Sequence, residues 1–220
     1  MWWKDKTIET YDHNRIPKEQ AEKWIKKVTK QFHDLFFHSN SHITNFFGVQ
    51  VIKPPTDLWM MQELIWAIKP RYFVEIGTFY GGTAFYVAHL FDLIGSGEVI
   101  SLDINPDKTE VAKHPRVHLL TGNSIEEKTF FEVKSYLKEP GPVMVDIDGC
   151  HLREHTLQEM ILYGSLVTVG SYMISEDSSN TETWWSTEKF LEINKSFVAD
   201  RRCEKYILTY HPNGWLQRVS

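Results

Sequence analysis

From Tyr72 onward the chain alternates short apolar runs with longer segments whose apolar residues recur every three or four positions. Tyr72–Ile76, Glu98–Leu102, Val117–Leu120, Pro142–Asp148 and the stretch ending at Ile174 read as strands. Their near-continuous hydrophobicity suits strands buried on both faces of a parallel sheet. Ala84, Val87, Ala88, Phe91 and Ile94 fall on one helical face, and Ser124 to Leu137, Leu152 to Leu162 and Trp184 to Asn194 continue the alternation with further helices. Ahead of the first strand, Ala21, Trp24, Ile25, Val28, Phe32, Leu35 and Phe36 predict an amphipathic helix beginning near Pro17, which would pack on the sheet edge or on a partner subunit. Residues 1–16 are polar and irregular. Phe46 to Ile52 reads as one short extended segment, stopped by Pro54 and Pro55. Thr56 is the expected N-cap, and Asp57 the first-turn acid, of a helix carrying Leu58, Met61, Ile65 and Ile68. At the other end, Glu204–Tyr210 and Trp215–Val219 predict a hairpin across His211-Pro212-Asn213-Gly214. The pattern is that of an α/β, doubly wound, mostly parallel sheet closed by an antiparallel C-terminal hairpin.

At 220 residues, with a net charge of −5 and neither a basic block nor an apolar run of membrane-spanning length, the chain points away from nucleic acid and membranes and toward a small-molecule partner. The expected organisation is a helical extension through residue 55 and one domain over residues 56–220, with a homo-oligomer possible through the first helix. Cys150 and Cys203 form no C-x-x-C pair, which places the protein in a reducing, cytoplasmic setting.

Chemistry concentrates where strands end. Tyr72–Ile76 runs into Gly77-Thr78-Phe79-Tyr80-Gly81-Gly82-Thr83, a turn that bares backbone N–H groups to a ligand and contains neither a dinucleotide nor a phosphate-loop signature. Glu75, two residues before Gly77, suits a ligand bearing a sulfonium or ammonium group. Gly77, Thr78, Gly81 and Thr83 are the candidate cradle. Asp103, 26 residues after Gly77 and closing the second strand, is the candidate for a ribose hydroxyl, although it also suits the turn Ile104-Asn105-Pro106. Asn123 and Ser124 follow the third strand, where an adenine could rest; Asn123 could equally cap the next helix. Asp148 ends the fourth strand, and Glu176 and Asp177 end the fifth. These carboxylates either converge beside the cradle or cap the segments that follow.

The motif Glu75-x-Gly77-x-x-x-Gly81 resembles motif I of the class I S-adenosylmethionine-dependent methyltransferases. Joined to Lys53-Pro54-x-x-Asp57-Leu58-Trp59, Asp148-x-x-His151-x-x-Glu154-His155, Glu176-Asp177 and Asn213-Gly214-x-Leu216-x-Arg218, it is similar to the cephalosporin hydroxylase family, which includes rhamnosyl O-methyltransferases. The resemblance implies a seven-stranded methyltransferase sheet and transfer of a methyl group from S-adenosylmethionine to a hydroxyl of a small molecule. It further implies Mg²⁺ on Asp148, Glu176 and Asp177, with His151 as proton acceptor. Cys150 stands where a second acidic residue is common, and Thr183-Trp184-Trp185 replaces a Gly-Pro segment. Trp184 and Trp185 would either plate the acceptor or seat a helix on the core. Other readings are a hydroxylase using His151 and His155 on iron, a zinc peptidase through His151-x-x-Glu154-His155, and a non-catalytic module of the same fold.

Overall fold

The computed structural model describes residues 17–39, 44–105, 113–179 and 181–220; the polar stretch 1–16 and Pro106 of the expected turn lie outside them. The chain divides into two compact units, Met1–His42 and Ile43–Ser220. In the first, α1 (Lys18–His38) realises the amphipathic pattern and carries the i,i+4 pairs Glu19–Lys23 and Asp34–Lys30, each 2.8 Å.

The second unit opens with β1 (Thr44–Phe46) and β2 (Val49–Val51), an antiparallel hairpin. The single extended segment expected there is therefore two strands. Phe47 (φ 47°) and Gly48 (φ 85°) both take the left-handed conformation that a tight two-residue hairpin turn demands. Then follow α2 (Pro55–Ile68), β3 (Tyr72–Ile76), α3 (Gly82–Ile94), β4 (Glu98–Asp103), β5 (Val117–Thr121), α4 (Glu127–Ser135), β6 (Val143–Ile147), α5 (Arg153–Gly164), β7 (Tyr172–Ser175), α6 (Thr181–Ile193), β8 (Phe197–Ala199) and β9 (Trp215–Arg218). The seven-stranded sheet has the order β5-β4-β3-β6-β7-β9-β8, parallel except where β9 runs against β7 and β8. Strand order reverses between β3 and β6, so the crevice at their carboxyl ends is a topological switch point.

Residues one apart on a strand face opposite sides. Tyr72, Val74 and Ile76 join Val143, Val145 and Ile147 in a core completed by Val133 of α4, Met160 and Tyr163 of α5 and Phe190 of α6. On the opposite side Phe73, Val99 and Met144 are fully buried, as are Met61, Leu64 and Ile65 of α2 and Val87, Ala88 and Phe91 of α3. That side also carries a row of polar residues, because Glu75 pairs in register with Ser101 of β4 and with Asp146 of β6.

Two sequence expectations are corrected. The partner of β9 is β8, not Glu204–Tyr210. After a 3-10 turn over Arg201–Glu204, the segment is drawn to the start of α2: Thr56 donates to the Leu208 carbonyl (2.6 Å), and Tyr210 N–H donates to Asp57 (2.9 Å). The Asn-Gly turn is real, with Asn213 at φ 60°, but it returns from a loop rather than a strand. For the same reason Thr56 does not cap α2. The preceding residue of that helix is Pro54, with Pro55 at its first position, where a missing N–H costs nothing.

Candidate active site

β3 delivers the chain to Gly77, which at φ 100° donates its N–H to the Leu102 carbonyl (2.8 Å). A Cβ there would lie 2.0 Å from the Asp148 carbonyl oxygen, so the turn leaving β3 passes against the turn leaving β6. Gly81 (φ 74°) then starts α3, and a Cβ on Gly82 would lie 2.0 Å from the Gln50 carbonyl of the hairpin. These close approaches frame a cavity of about 510 Å³ walled on one side by Gln50, Val51 and Ile52. Of the expected binding residues, Gly77, Thr78, Thr83, Asp103, Asn123 and Ser124 line it, together with Asp148, His151 and Asp177. Glu75, Gly81 and Glu176 do not.

Asp103 serves both uses its position suggested. One carboxylate oxygen accepts from Phe79 N–H (2.8 Å) and the other from Asn105 N–H (2.8 Å), while the residue still faces the cavity, leaving lone pairs for a ligand hydroxyl. Asn123 accepts from Ile125 N–H (3.3 Å) and stands ahead of α4 without capping it, since that helix begins at Glu127. Ser124 donates to Glu159 (2.5 Å), a buried acid whose pKa burial pushes up to about 7, and meets His155 Nε2 at 3.1 Å. Glu75 lies beneath the turn, accepting from Ser101, which meets Thr78 at 2.6 Å. Burial raises the Glu75 pKa to about 8 against the pull of Ser101 and Lys53, so the group is uncharged at neutral pH.

At the cavity's other end Asp148, His151 and Asp177 bring ligand-capable atoms within 4.8 Å of one another. His151 Nε2 stands 3.5 Å from Asp148 and Nδ1 3.6 Å from Asp177. Asp148, then Asp177, outweigh burial and lift the imidazole pKa to about 9, so the ring is protonated at neutral pH in this arrangement. Burial and the Asp148 charge raise Asp177. The two carboxylates supply hard oxygen donors that fit a divalent cation such as Mg²⁺, with no thiolate beside them. Glu176 sits behind this group. Its Oε2 is 2.9 Å from Lys53 Nζ and 2.9 Å from His211 Nε2, and these two neighbours overcome burial to depress its pKa.

Lys53, Asp57 and His211 belong to the site and were not recognised as functional from the sequence. Lys53 is 1% exposed, with its ammonium 2.9 Å from Asp148, 2.9 Å from Glu176 and 3.5 Å from Asp146. Burial opposes its charge, but the three carboxylates prevail and raise its pKa well above the ordinary value. His211 Nδ1 meets Asp177 N–H at 3.2 Å, and Nε2 faces Glu176 and, at 3.3 Å, Asp57. Only the spacing Lys53-Pro54-x-x-Asp57 hinted at these roles. His155 turns to Ser124 and Glu159 rather than to Asp148, so the structure does not assemble the paired imidazoles of a zinc peptidase. Trp184 and Trp185 do not line the cavity; the Arg153 guanidinium lies 5.4 Å from the centre of the Trp185 ring and pairs with Glu182.

The family model described as Rhamnosyl O-methyltransferase/CmcI matches residues 38–219. A rhamnosyl O-methyltransferase of Mycobacterium leprae is 26% identical over 156 residues, covering 69% of this chain and 68% of that protein. Its counterpart in Mycobacterium tuberculosis (strain H37Rv) is 30% identical over 141 residues, covering 62% of this chain and 57% of the relative's length. Among solved structures, ligand-free CmcI aligns with a TM-score of 0.66 at 20% identity, covering 80% of this chain and 76% of that one. CmcI with Mg and SAM gives 0.64 at 19% identity, covering 80% and 77%. An O-methyltransferase from Bacillus cereus in complex with SAH gives 0.51 at 17% identity, covering 83% of each chain.

Proposed function

Because the chain belongs to the rhamnosyl O-methyltransferase/CmcI family, we propose that it transfers a methyl group from S-adenosylmethionine to a hydroxyl of a small molecule, a sugar or secondary metabolite, with the aid of Mg²⁺. The observation that carries this reading is the placement of Asp148, His151 and Asp177 on one cavity with the glycine turn and Asp103. The adenosyl group would occupy the end lined by Asp103, Asn123 and Ser124, with ribose hydroxyls on Asp103. Asp148 and Asp177 would hold the ion, with Glu176 as the third carboxylate. When bound, Mg²⁺ supplies a template for the acceptor oxygen and stabilises the charge developing on it.

Methyl transfer is an in-line displacement: the O–CH₃ bond forms as the S–CH₃ bond breaks, its electron pair goes to sulfur, and the acceptor's proton must leave. His151 is placed to take that proton. Held by two carboxylates it already carries one at neutral pH, so it becomes a base only above about pH 9, or once a cation engages Asp148 and Asp177. The iron hydroxylase reading has less support, since its usual two-His, one-carboxylate set lacks a second imidazole at this place.

The test is methyl transfer from labelled S-adenosylmethionine to a panel of hydroxylated sugars and phenols, with and without chelator. Turnover is expected to vanish with chelator and return with Mg²⁺. His151→Ala is expected to lower kcat by about 10²-fold with SAH binding retained. Undiminished turnover in excess chelator would overturn the metal assignment.

A further inference from the structure

Lys53 is a buried cation that the transfer chemistry does not use. It comes from the bend between the hairpin and α2, where Pro54 and Pro55 limit backbone freedom, and its side chain is 1% exposed. Its ammonium stands 2.9 Å from Oδ2 of Asp148 and 2.9 Å from Oε2 of Glu176, the ends of two adjacent strands. Glu176 Oε2 is shared with His211 Nε2 at 2.9 Å, and His211 is in turn faced by Asp57 at 3.3 Å. Both Lys53 and Asp57 belong to the segment that opens α2, so one stretch of chain holds Glu176 directly through Lys53 and faces, through Asp57, the His211 ring that also holds it.

We propose that Lys53 is a positioning residue for the divalent ion: its ammonium takes one oxygen of Asp148 and one of Glu176, fixing both side chains so that Asp148 Oδ1 is left for the metal. Asp148 Oδ1 meets only the long His151 contact, at 3.5 Å, whereas Glu176 is held in addition by a hydrogen bond with Asp146. Without the ammonium between them, Asp148 and Glu176 would lose the charge that draws both side chains to one point in a medium that screens poorly. Groups that orient metal ligands from behind are commonly worth 10- to 100-fold in metal affinity.

This inference rests on the metal reading above, and its test separates the two. Simple electrostatics and positioning predict opposite signs for Lys53→Met, a replacement of similar length. Deleting a positive charge beside two ligands should tighten cation binding if the ligands stay in place, and weaken it if Lys53 is what places them. The measurement is Mn²⁺ binding to the SAH-loaded protein, read from the electron paramagnetic resonance signal of free Mn²⁺, with SAH affinity measured alongside by calorimetry. Lys53→Met is expected to bind Mn²⁺ about tenfold or more weakly than wild type, with SAH affinity within about twofold. Equal or tighter Mn²⁺ binding overturns the inference alone; no Mn²⁺ binding by the wild type overturns the metal reading and the inference together. Should Lys53→Met fail to fold, Lys53→Arg decides: it keeps the charge but moves its centre, so weaker Mn²⁺ binding supports positioning and wild-type binding refutes it.

Discussion

Gly77 carries more than a vacancy for a ligand. Its φ of 100° excludes a side chain on backbone grounds, and a Cβ would lie 2.0 Å from the Asp148 carbonyl. Gly77→Ala must therefore push β3 and β6 apart at the point where Asp148 is aimed. We expect a loss of about 3 kcal/mol or more in unfolding free energy without any cofactor present, together with weakened SAH binding, measured by urea denaturation and calorimetry. Lost affinity at unchanged stability would show that the glycine serves only the ligand. The glycine itself was legible from the sequence; the strand it presses on was not, because that neighbour lies 71 positions further along the chain. Lys53 is the opposite case. A lysine beside two prolines reads as a surface residue, and nothing local reveals that a hairpin and a helix bury it among carboxylates from β6 and β7.

Among elements, the hairpin β1–β2 forms a wall of the cavity, and it can do so because Gly82 offers no side chain to Gln50. Gly82→Ala is expected to lift the hairpin from α3, weakening SAH binding about tenfold while far-UV circular dichroism stays unchanged, since the sheet does not depend on that contact. Unaltered affinity would remove the hairpin from the binding wall. The parallel strands were readable because burial on both faces leaves uninterrupted apolar runs, as in Val143–Ile147 apart from Asp146. The hairpin was missed because three-residue strands leave almost no periodicity. The Glu204–Tyr210 segment was misassigned because alternation and an Asn-Gly turn are local signals, whereas Asp57 and Thr56, some 150 residues earlier, claim its backbone.

For the molecule as a whole, the buried row Ser101–Glu75–Asp146 makes stability depend on pH. Glu75 has a folded pKa of about 8 against an ordinary value of 4.5, so between those values the folded state holds a proton that the unfolded state has released. Its contribution is complete below pH 4.5 and declines as pH rises toward 8, by about 1.4 kcal/mol per pH unit. Glu75→Gln is expected to flatten this decline, so that its melting temperature gains on wild type from pH 5 to pH 8; parallel curves would mean Glu75 is ionised in the fold. The strand order holds a further consequence, one of timing. A chain emerging from the ribosome makes β8 before β9, yet β9 lies between β8 and β7. Until Trp215–Arg218 is synthesised, β8 has no neighbour and the outer side of β7 offers unpaired backbone groups to any other nascent strand. The five parallel strands can assemble early, but the sheet stays open to wrong partners for the 39 residues that separate the end of β7 at Ser175 from Trp215.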